Sequence, residues 1–364
     1  MYSRVFRLVA LSLTAVVSAA VLTVNPAQAA GGAEAARATT VAGITDALAR
    51  QLASQLAPDA RRAGLFSAAA EDAVSLTRPG ASPALSHAVQ QANRAVLAAK
   101  GLPADGPAIL EFELAHPDMR AELARGAEPL VAAAPTDDVR TDVTAYDRDG
   151  RTVALDATRM PKQPVFVVGV DSAKALPLGL DVINKTLAAR GIERAQPVAT
   201  NAGYWATMVQ EVRLNDDMEP WIKGDAEVFG ITGGFGLDGK VKVDTVTMPY
   251  LDNDGSTYYP NQLIVHFSAY KYNLADFVMM EDDGDTNYLS LAQAIAGALL
   301  TIVDGGVYIP LVNAILGALP ASWWTDDPDY VDSWYTLSTA SGGAFNGAAG
   351  NGQMVLAPYW VQPL

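Results

Sequence analysis

The chain has 364 residues, no cysteine, three histidines and a formal net charge of −15. The missing cysteines exclude disulfides, a thiol nucleophile and a thiolate metal site. The negative charge repels nucleic acid and anionic lipid unless a cation intervenes.

Arg4 and Arg7 precede an apolar core from Leu8 to Val24, and Ala27-Gln28-Ala29 forms a small-residue cleavage site. This pattern predicts a signal peptide over residues 1–29 and a secreted, extracellular protein, without a lipoprotein anchor because no cysteine follows the core. Residues 30–200 read as a first, Ala-rich domain. Val41, Ile44, Leu48, Leu52 and Leu56 keep the spacing of one helix face, which Pro58 ends. A second helix starts at Ser82-Pro83, places Leu85, Val89 and Val96 on one face and closes at Gly101; a third, shorter one spans 117–125. The whole region 40–126 is expected to be helical. Strands follow at 130–134, 142–157 and 164–172, with Asp149-Gly150 as a hairpin turn, and then a helix near 178–190.

A boundary near 200 coincides with a change in charge. Residues 1–200 carry 20 Lys+Arg and 20 Asp+Glu, whereas residues 201–364 carry 5 and 20, and no basic residue follows Lys271. Seven β-branched or aromatic runs (MVQEVRL, AEVFGITG, KVDTVTMPY, LIVHFSAYK, ADFVMM, VDSWYTL and QMVLAPYWV) are separated by turn residues, the pattern of an antiparallel sandwich. The expected class is therefore α+β: a mainly helical α+β domain, then an antiparallel β-sandwich over 201–364 with an inserted apolar helical hairpin at about 289–320.

Acids cluster at the ends of these runs. The clusters are Asp216, Asp217 and Glu219; Asp252 and Asp254; Glu281, Asp282, Asp283 and Asp285; and Asp326, Asp327 and Asp329. Each could be an ordinary solvated turn. Together, in a half so poor in cations, they predict a calcium site, because loops from strand ends can meet and supply the six to eight oxygens calcium takes. Zinc would want nitrogen or sulfur ligands, and the EF-hand spacing does not fit.

Three segments carry a resemblance. Asp217 to Lys223 (DMEPWIK) resembles the strand after the first calcium loop of C2 domains, Thr257 to Gln262 their following turn, and Val278 to Asp285 their last strand and loop. That resemblance implies a calcium-binding sandwich with ligands at Asp217, Glu219, Glu281, Asp283 and Asp285. Glu219 and Glu281 stand where C2 domains have aspartates, and the 252–254 and 326–332 clusters have no C2 counterpart. Over most of the chain, EVRLNDDMEPWIKGDAEVFGI and YLDNDGSTYYPNQLIVHFS are also similar to an uncharacterised family of exported bacterial proteins, domain of unknown function number 3103, which implies no activity and no catalytic residues.

Leu289 to Pro320 holds one charge, Asp304, in 32 residues. Asp304-Gly305-Gly306 splits it into pieces of about fourteen residues, which favours a packed hairpin over membrane insertion and gives no stable transmembrane anchor. Behind it, Trp323, Trp324, Trp334 and Tyr335 alternate with acids and could meet carbohydrate or a membrane interface, although Trp334 reads better as a core residue. No H-E-x-x-H, no G-x-S-x-G around Ser172 and no P-loop is present. His87 and His266 read as structural, and His116 as a helix cap.

The expected function is a calcium-dependent module that binds a surface, carbohydrate or protein partner. The alternatives are a secreted hydrolase with structural calcium and a carboxylate pair, whose chemistry has no local motif, and a protein inserting its 289–320 hairpin into a membrane. A carboxylate with a strongly raised pKa inside a cleft would favour the hydrolase.

Overall fold

The computed structural model describes residues 39–56, 64–77, 83–136, 141–197, 202–216, 221–222, 226–282, 284–319 and 330–363. It opens with α1 (Val41–Ala53), which buries Val41, Ile44, Leu48 and Leu52 as their spacing predicts and is capped by Thr40. α2 (Leu65–Glu71) and the short β1 (Val74–Ser75) follow. α3 (Pro83–Ala99) buries Leu85, Val89 and Val96, and Gly101 ends it at φ +66°. Ser82 and Pro58 lie outside the described residues.

The expectation of helix throughout 40–126 fails at β2 (Leu110–Leu114). Its alternating burial is that of a strand lying between a core and a polar surface. A 3₁₀ turn (Pro117–Met119) capped by His116 and α4 (Arg120–Ala124) complete the region. Next come β3 (Leu130–Ala133), β4 (Asp142–Tyr146), β5 (Thr152–Asp156), β6 (Val165–Val170) and α5 (Ser172–Ala189). In the hairpin turn between β4 and β5, the Asp147 carboxylate accepts from the backbone N–H groups of Asp149 and Arg151, both at 2.9 Å. α5 begins six residues before the expected start at 178, capped by Asp171, and runs through Pro177. The strands form one sheet in the order β1-β2-β6-β3-β4-β5, in which β3 and β6 run parallel.

The second half contains β7 (Tyr204–Leu214), β8 (Val228–Phe235), β9 (Val241–Thr247), β10 (Thr257–Tyr258), β11 (Gln262–His266), β12 (Leu274–Glu281), α6 (Tyr288–Leu299), α7 (Val312–Ala318), β13 (Tyr330–Ser338), β14 (Gly343–Asn346) and β15 (Gly352–Val361). Every strand run expected here is present. They make two antiparallel sheets, one ordered β10-β7-β15-β14 with β11 also on β7, the other β13-β12-β8-β9. The class is α+β.

Two clusters of buried side chains hold the molecule together. One combines Val209, Val212 and Met354 of the first of these sheets with Val228, Phe277 and Trp334 of the second. The other runs from Val41 through Phe112 and Phe166 to Ile231, Met280, Leu291 and Ile315, so side chains from both sides of residue 200 share one core. Within it Phe66 meets Phe112 and Phe166 edge to face at 5.2 Å, and those two rings stack at 5.3 Å, contacts each worth about 0.5–1.5 kcal/mol beyond their burial.

The apolar stretch forms α6, twelve residues long, and α7, only seven. The second is shorter than expected because Pro310 offers no amide and disfavours helix before it, so helix resumes at Val312. α6 packs on α5 and α7. Gly179 of α5 makes that approach possible, since a Cβ there would overlap the Tyr288 ring. No helix among the described residues is long and apolar enough to cross a membrane.

Candidate functional site: an acidic cleft

In Leu110-Glu-Phe-Glu-Leu114 the period of two sends Leu110, Phe112 and Leu114 into the core and Glu111 and Glu113 to the opposite face of β2. Glu111 pairs across the ladder with Gly169 of β6. A Cβ at Gly169 would stand 4.0 Å from the Glu111 carboxyl, so the bare glycine leaves that carboxyl room. β6 then delivers Asp171 and Ser172. Asp171 is held by its N–H to the Ile109 carbonyl (2.7 Å), accepts from the Lys174 backbone N–H (3.1 Å) and pairs with the Lys174 ammonium. From the second half come Trp221, Glu227 and the turn 252–256.

These residues line a cleft of about 840 Å³. Its walls carry the carboxylates of Asp72, Glu111, Glu113, Asp171, Glu227, Asp252 and Asp254, against one guanidinium, Arg120, and His116. Arg120 is already committed to the carbonyls of Ala70 and Glu71, both at 2.7 Å. The His116 Nδ1 accepts the Asp118 N–H at 3.2 Å, which is the capping role expected of it. A smaller pocket adjoins the cleft through Glu111, Glu113, Ser172 and Glu227 and reaches Asp282 and Gly284.

Burial, then the negative charges of Glu113 and Asp171, push the Glu111 carboxyl up to about 8, with Lys174 opposing. Glu111 therefore keeps its proton at neutral pH beside a second glutamate on the same strand face. That is a protonated acid and a neighbouring carboxylate in one cleft, the pair that acid–base catalysis needs.

The acidic loop after β12 is compensated in a different way. Lys100 at the end of α3 and Asp282 are fully buried, with Nζ 3.4 Å from Asp282 Oδ1 and 3.1 Å from the Gly284 carbonyl. The ammonium also lies 5.0 Å from the centre of the Tyr288 ring, whose hydroxyl donates to Asp282 Oδ2. Burial and then the Asp282 charge hold that phenol protonated, well above its ordinary range. Asn287 donates to the Ala99 carbonyl (2.6 Å) and the Tyr288 N–H to that of Lys100 (3.0 Å). The loop is thus sewn to the end of α3.

The remaining predicted ligands are placed as follows. β8 starts, β9 ends, β12 ends and β13 starts at the same end of their sheet, through the pairs Phe229↔Thr247, Glu281↔Val228 and Met280↔Tyr330. Glu281 and Asp282 therefore stand at that end, and the chain leaves β9 from it towards Asp252 and Asp254. Asp216 joins them through Asn351, whose Oδ1 accepts the Asp216 N–H (3.0 Å) and whose amide reaches the Val331 carbonyl (3.4 Å). Asp252 accepts from the Tyr258 hydroxyl at 2.6 Å. Glu281 is buried and Asp285 exposed. Asp217, Glu219, Asp283, Asp326, Asp327 and Asp329, with Trp323 and Trp324, lie outside the described residues. Among the described residues no three His, Asp or Glu side chains converge to hold a metal. Asp332 is structural: its buried carboxylate accepts from the backbone N–H groups of Ser333, Ala349 and Gly352 at 2.7–2.8 Å. Trp334 lies in the core, as expected.

Sequence reading missed Glu111, Glu113, Asp171, Glu227 and Lys100. The strict alternation of Leu110 to Leu114 was the available signal for the first two; nothing local marked the others.

The family model described as "Protein of unknown function (DUF3103)" matches residues 37–364, and the chain belongs to that family. No curated protein and no solved structure matches it.

Proposed function

We propose that the protein is a secreted hydrolase that cleaves glycosidic bonds in uncharged or basic carbohydrate, with Glu111 as proton donor and Glu113 as the second carboxylate. The observation that carries this reading is a protonated Glu111 facing a cleft it shares with Glu113, Asp171 and Glu227. An acid that holds its proton at neutral pH can give it to a leaving oxygen, while an ionised partner stabilises positive charge developing on the sugar. The surrounding carboxylates disfavour anionic substrates, and they offer acceptors to sugar hydroxyls. Trp221, half-buried at the cleft, offers an apolar ring beside them. The test is reducing-end release from a panel of neutral and amino-sugar polysaccharides. Activity that Glu111→Gln lowers by about 10²-fold or more supports the assignment; no turnover by the native protein, or full turnover by the variant, defeats it.

A second reading concerns calcium. The position of Glu281 and Asp282 at the end of β12, from which β9 also leads towards Asp252 and Asp254, supports a calcium-stabilised sandwich of C2-like character, with the ion held by the loop acids and keeping them together. This ion would be structural in the hydrolase and central in a binding module. A thermal melt in EDTA, then in millimolar calcium with magnesium as control, decides it. A calcium-specific rise of several degrees supports the site, and equal melting under all three conditions makes these acids a solvated surface.

A further inference from the structure

Behind the acidic cleft lies the smaller pocket, and its size decides what it can take. It measures about 40 Å³. A buried water needs a cavity of roughly 10–15 Å³, so this one has room for about three waters and none for a sugar ring. Its floor is apolar, with Val167 and Val168 of β6 both buried. Glu111, Glu113, Glu227 and Thr136 stand around that floor, and water settles in a small cavity where two to four polar partners meet it. The Glu111 carboxyl makes no hydrogen bond to another described residue. A protonated carboxyl drawn in from bulk water needs an acceptor for its proton, and water in this pocket supplies one.

Glu111 and Glu113 leave β2 on one face, two residues apart, so their stems stand roughly 6–7 Å apart where they leave the strand. A second carboxylate that attacks the sugar directly stands about 5–5.5 Å from the acid, whereas about 6.5–9.5 Å admits a water between the base and the sugar. The strand spacing falls at the wider end. We propose that the pocket stores and orients the water that hydrolysis consumes, with Glu113 as its base, and that the reaction inverts the configuration of the sugar. This inference rests on the hydrolase reading. The Glu111 proton passes to the glycosidic oxygen as the bond from that oxygen to the anomeric carbon breaks, its electron pair staying on the oxygen. The water oxygen forms the new bond to that carbon from the opposite face, and Glu113 takes the proton the water gives up. Glu111 ends ionised and Glu113 protonated, and a proton passed from one to the other through pocket water restores the starting pair.

Two glycines line the pocket, and each has space for a methyl. A Cβ at Gly284 would stand 3.9 Å from Thr136 Cγ2, and one at Gly169 3.8 Å from the Ala134 Cβ, both ordinary contact distances. Neither glycine has a positive φ, so Gly284→Ala and Gly169→Ala take up pocket space without straining the backbone. The substrate is whichever polysaccharide of the neutral and amino-sugar panel the native protein turns over fastest. On it each variant is expected to lower kcat about tenfold or more, with KM within about twofold and the melting temperature unchanged. Gly297→Ala, whose Cβ meets nothing within 4 Å, is the control and should change none of the three. Proton NMR of the native reaction should show the inverted anomer first. Without substrate, magnetisation from water should reach the Val167 methyl protons, which are shielded from bulk solvent, and should weaken in both alanine variants. Native turnover with retained configuration, or at an undiminished rate in both variants, overturns this inference and leaves the hydrolase reading standing. No water transfer to Val167 in the native protein overturns it as well. No turnover by the native protein removes both.

Discussion

Asp282 and Glu111 are both carboxyl groups withdrawn from water, some distance apart in sequence but lining one continuous pair of pockets. Asp282 is given a buried ammonium and a phenol hydroxyl, and the Gly284 carbonyl accepts from the same ammonium. Glu111 is placed beside two further carboxylates and keeps its proton instead. Removing a charge from water is tolerated by pairing it or by neutralising it, and Asp282 and Glu111 show the two within the same region. The paired group fastens the two halves together; the neutralised one is left with reactivity. Structure-building acids and chemically useful acids can thus be told apart by what compensates them.

The largest break in this comparison is Lys100→Met. It leaves Asp282 buried without its ammonium, and the expected loss is about 3–5 kcal/mol in urea unfolding. Adding Asp282→Leu should restore part of that, since no unpaired Asp282 charge is then buried although the Tyr288 hydroxyl and the Gly284 carbonyl lose their partners; no recovery would mean the pair is not what Lys100 serves.

Glu111→Gln acts in the opposite sense. In the folded protein the group titrates near 8, above its ordinary value of 4.5. Folding is therefore unaffected by it below pH 4.5, and a cost accrues as pH rises from 4.5 towards 8, where the folded state must finally ionise it. The wild type is expected to lose stability across that window, and the glutamine variant to be more stable at pH 8 by on the order of a few kcal/mol. Matching stability–pH curves for the two proteins would show that Glu111 titrates normally.

A packing change gives a smaller effect. Gly179→Ala drives a methyl into the Tyr288 ring and is expected to cost about 1–3 kcal/mol, less if Tyr288 can shift and loosen its bond to Asp282. Smallest is Arg148→Ala, which removes an exposed pair with Glu128 at 3.3 Å. Both charges there keep their water, and the change should stay below about 0.5 kcal/mol. Unfolding measurements on this pair set the baseline against which the buried pair is judged.

Much of the fold could be read from periodicity. The alternating runs of the second half all became strands, and α1 and α3 bury the faces their spacing marked. Of the acidic stretches, Glu281 and Asp282 lie where β12 ends, and among the described residues no three acids converge. The site was less legible. Leu110 to Leu114 alternates strictly, but five residues between alanine-rich helices and a proline-flanked turn are a weak signal beside longer helical patterns. Asp171 reads as an ordinary helix cap, which it also is. Lys100 closes a helix in the manner of many surface lysines, and only the three-dimensional return of the chain makes it the counter-ion of Asp282. The early start of α5 was hidden by Pro177, which local rules treat as a boundary.

The stitch between α3 and the loop after β12 also sets a timetable. Asn287 bonds to Ala99 across 188 positions of chain and Lys100 to Asp282 across 182, so helix α3 cannot reach its final surroundings until most of the polypeptide is available. Contacts of such long range make for slow folding, because a large loop must close before any of them forms. An N-terminal fragment ending near residue 200 would expose the face of α5 around Gly179 and Ile183 that packs on α6, and would wait in a sticky, unfinished state for its other half. The order in which the chain emerges thus matters as much as the contacts it finally makes.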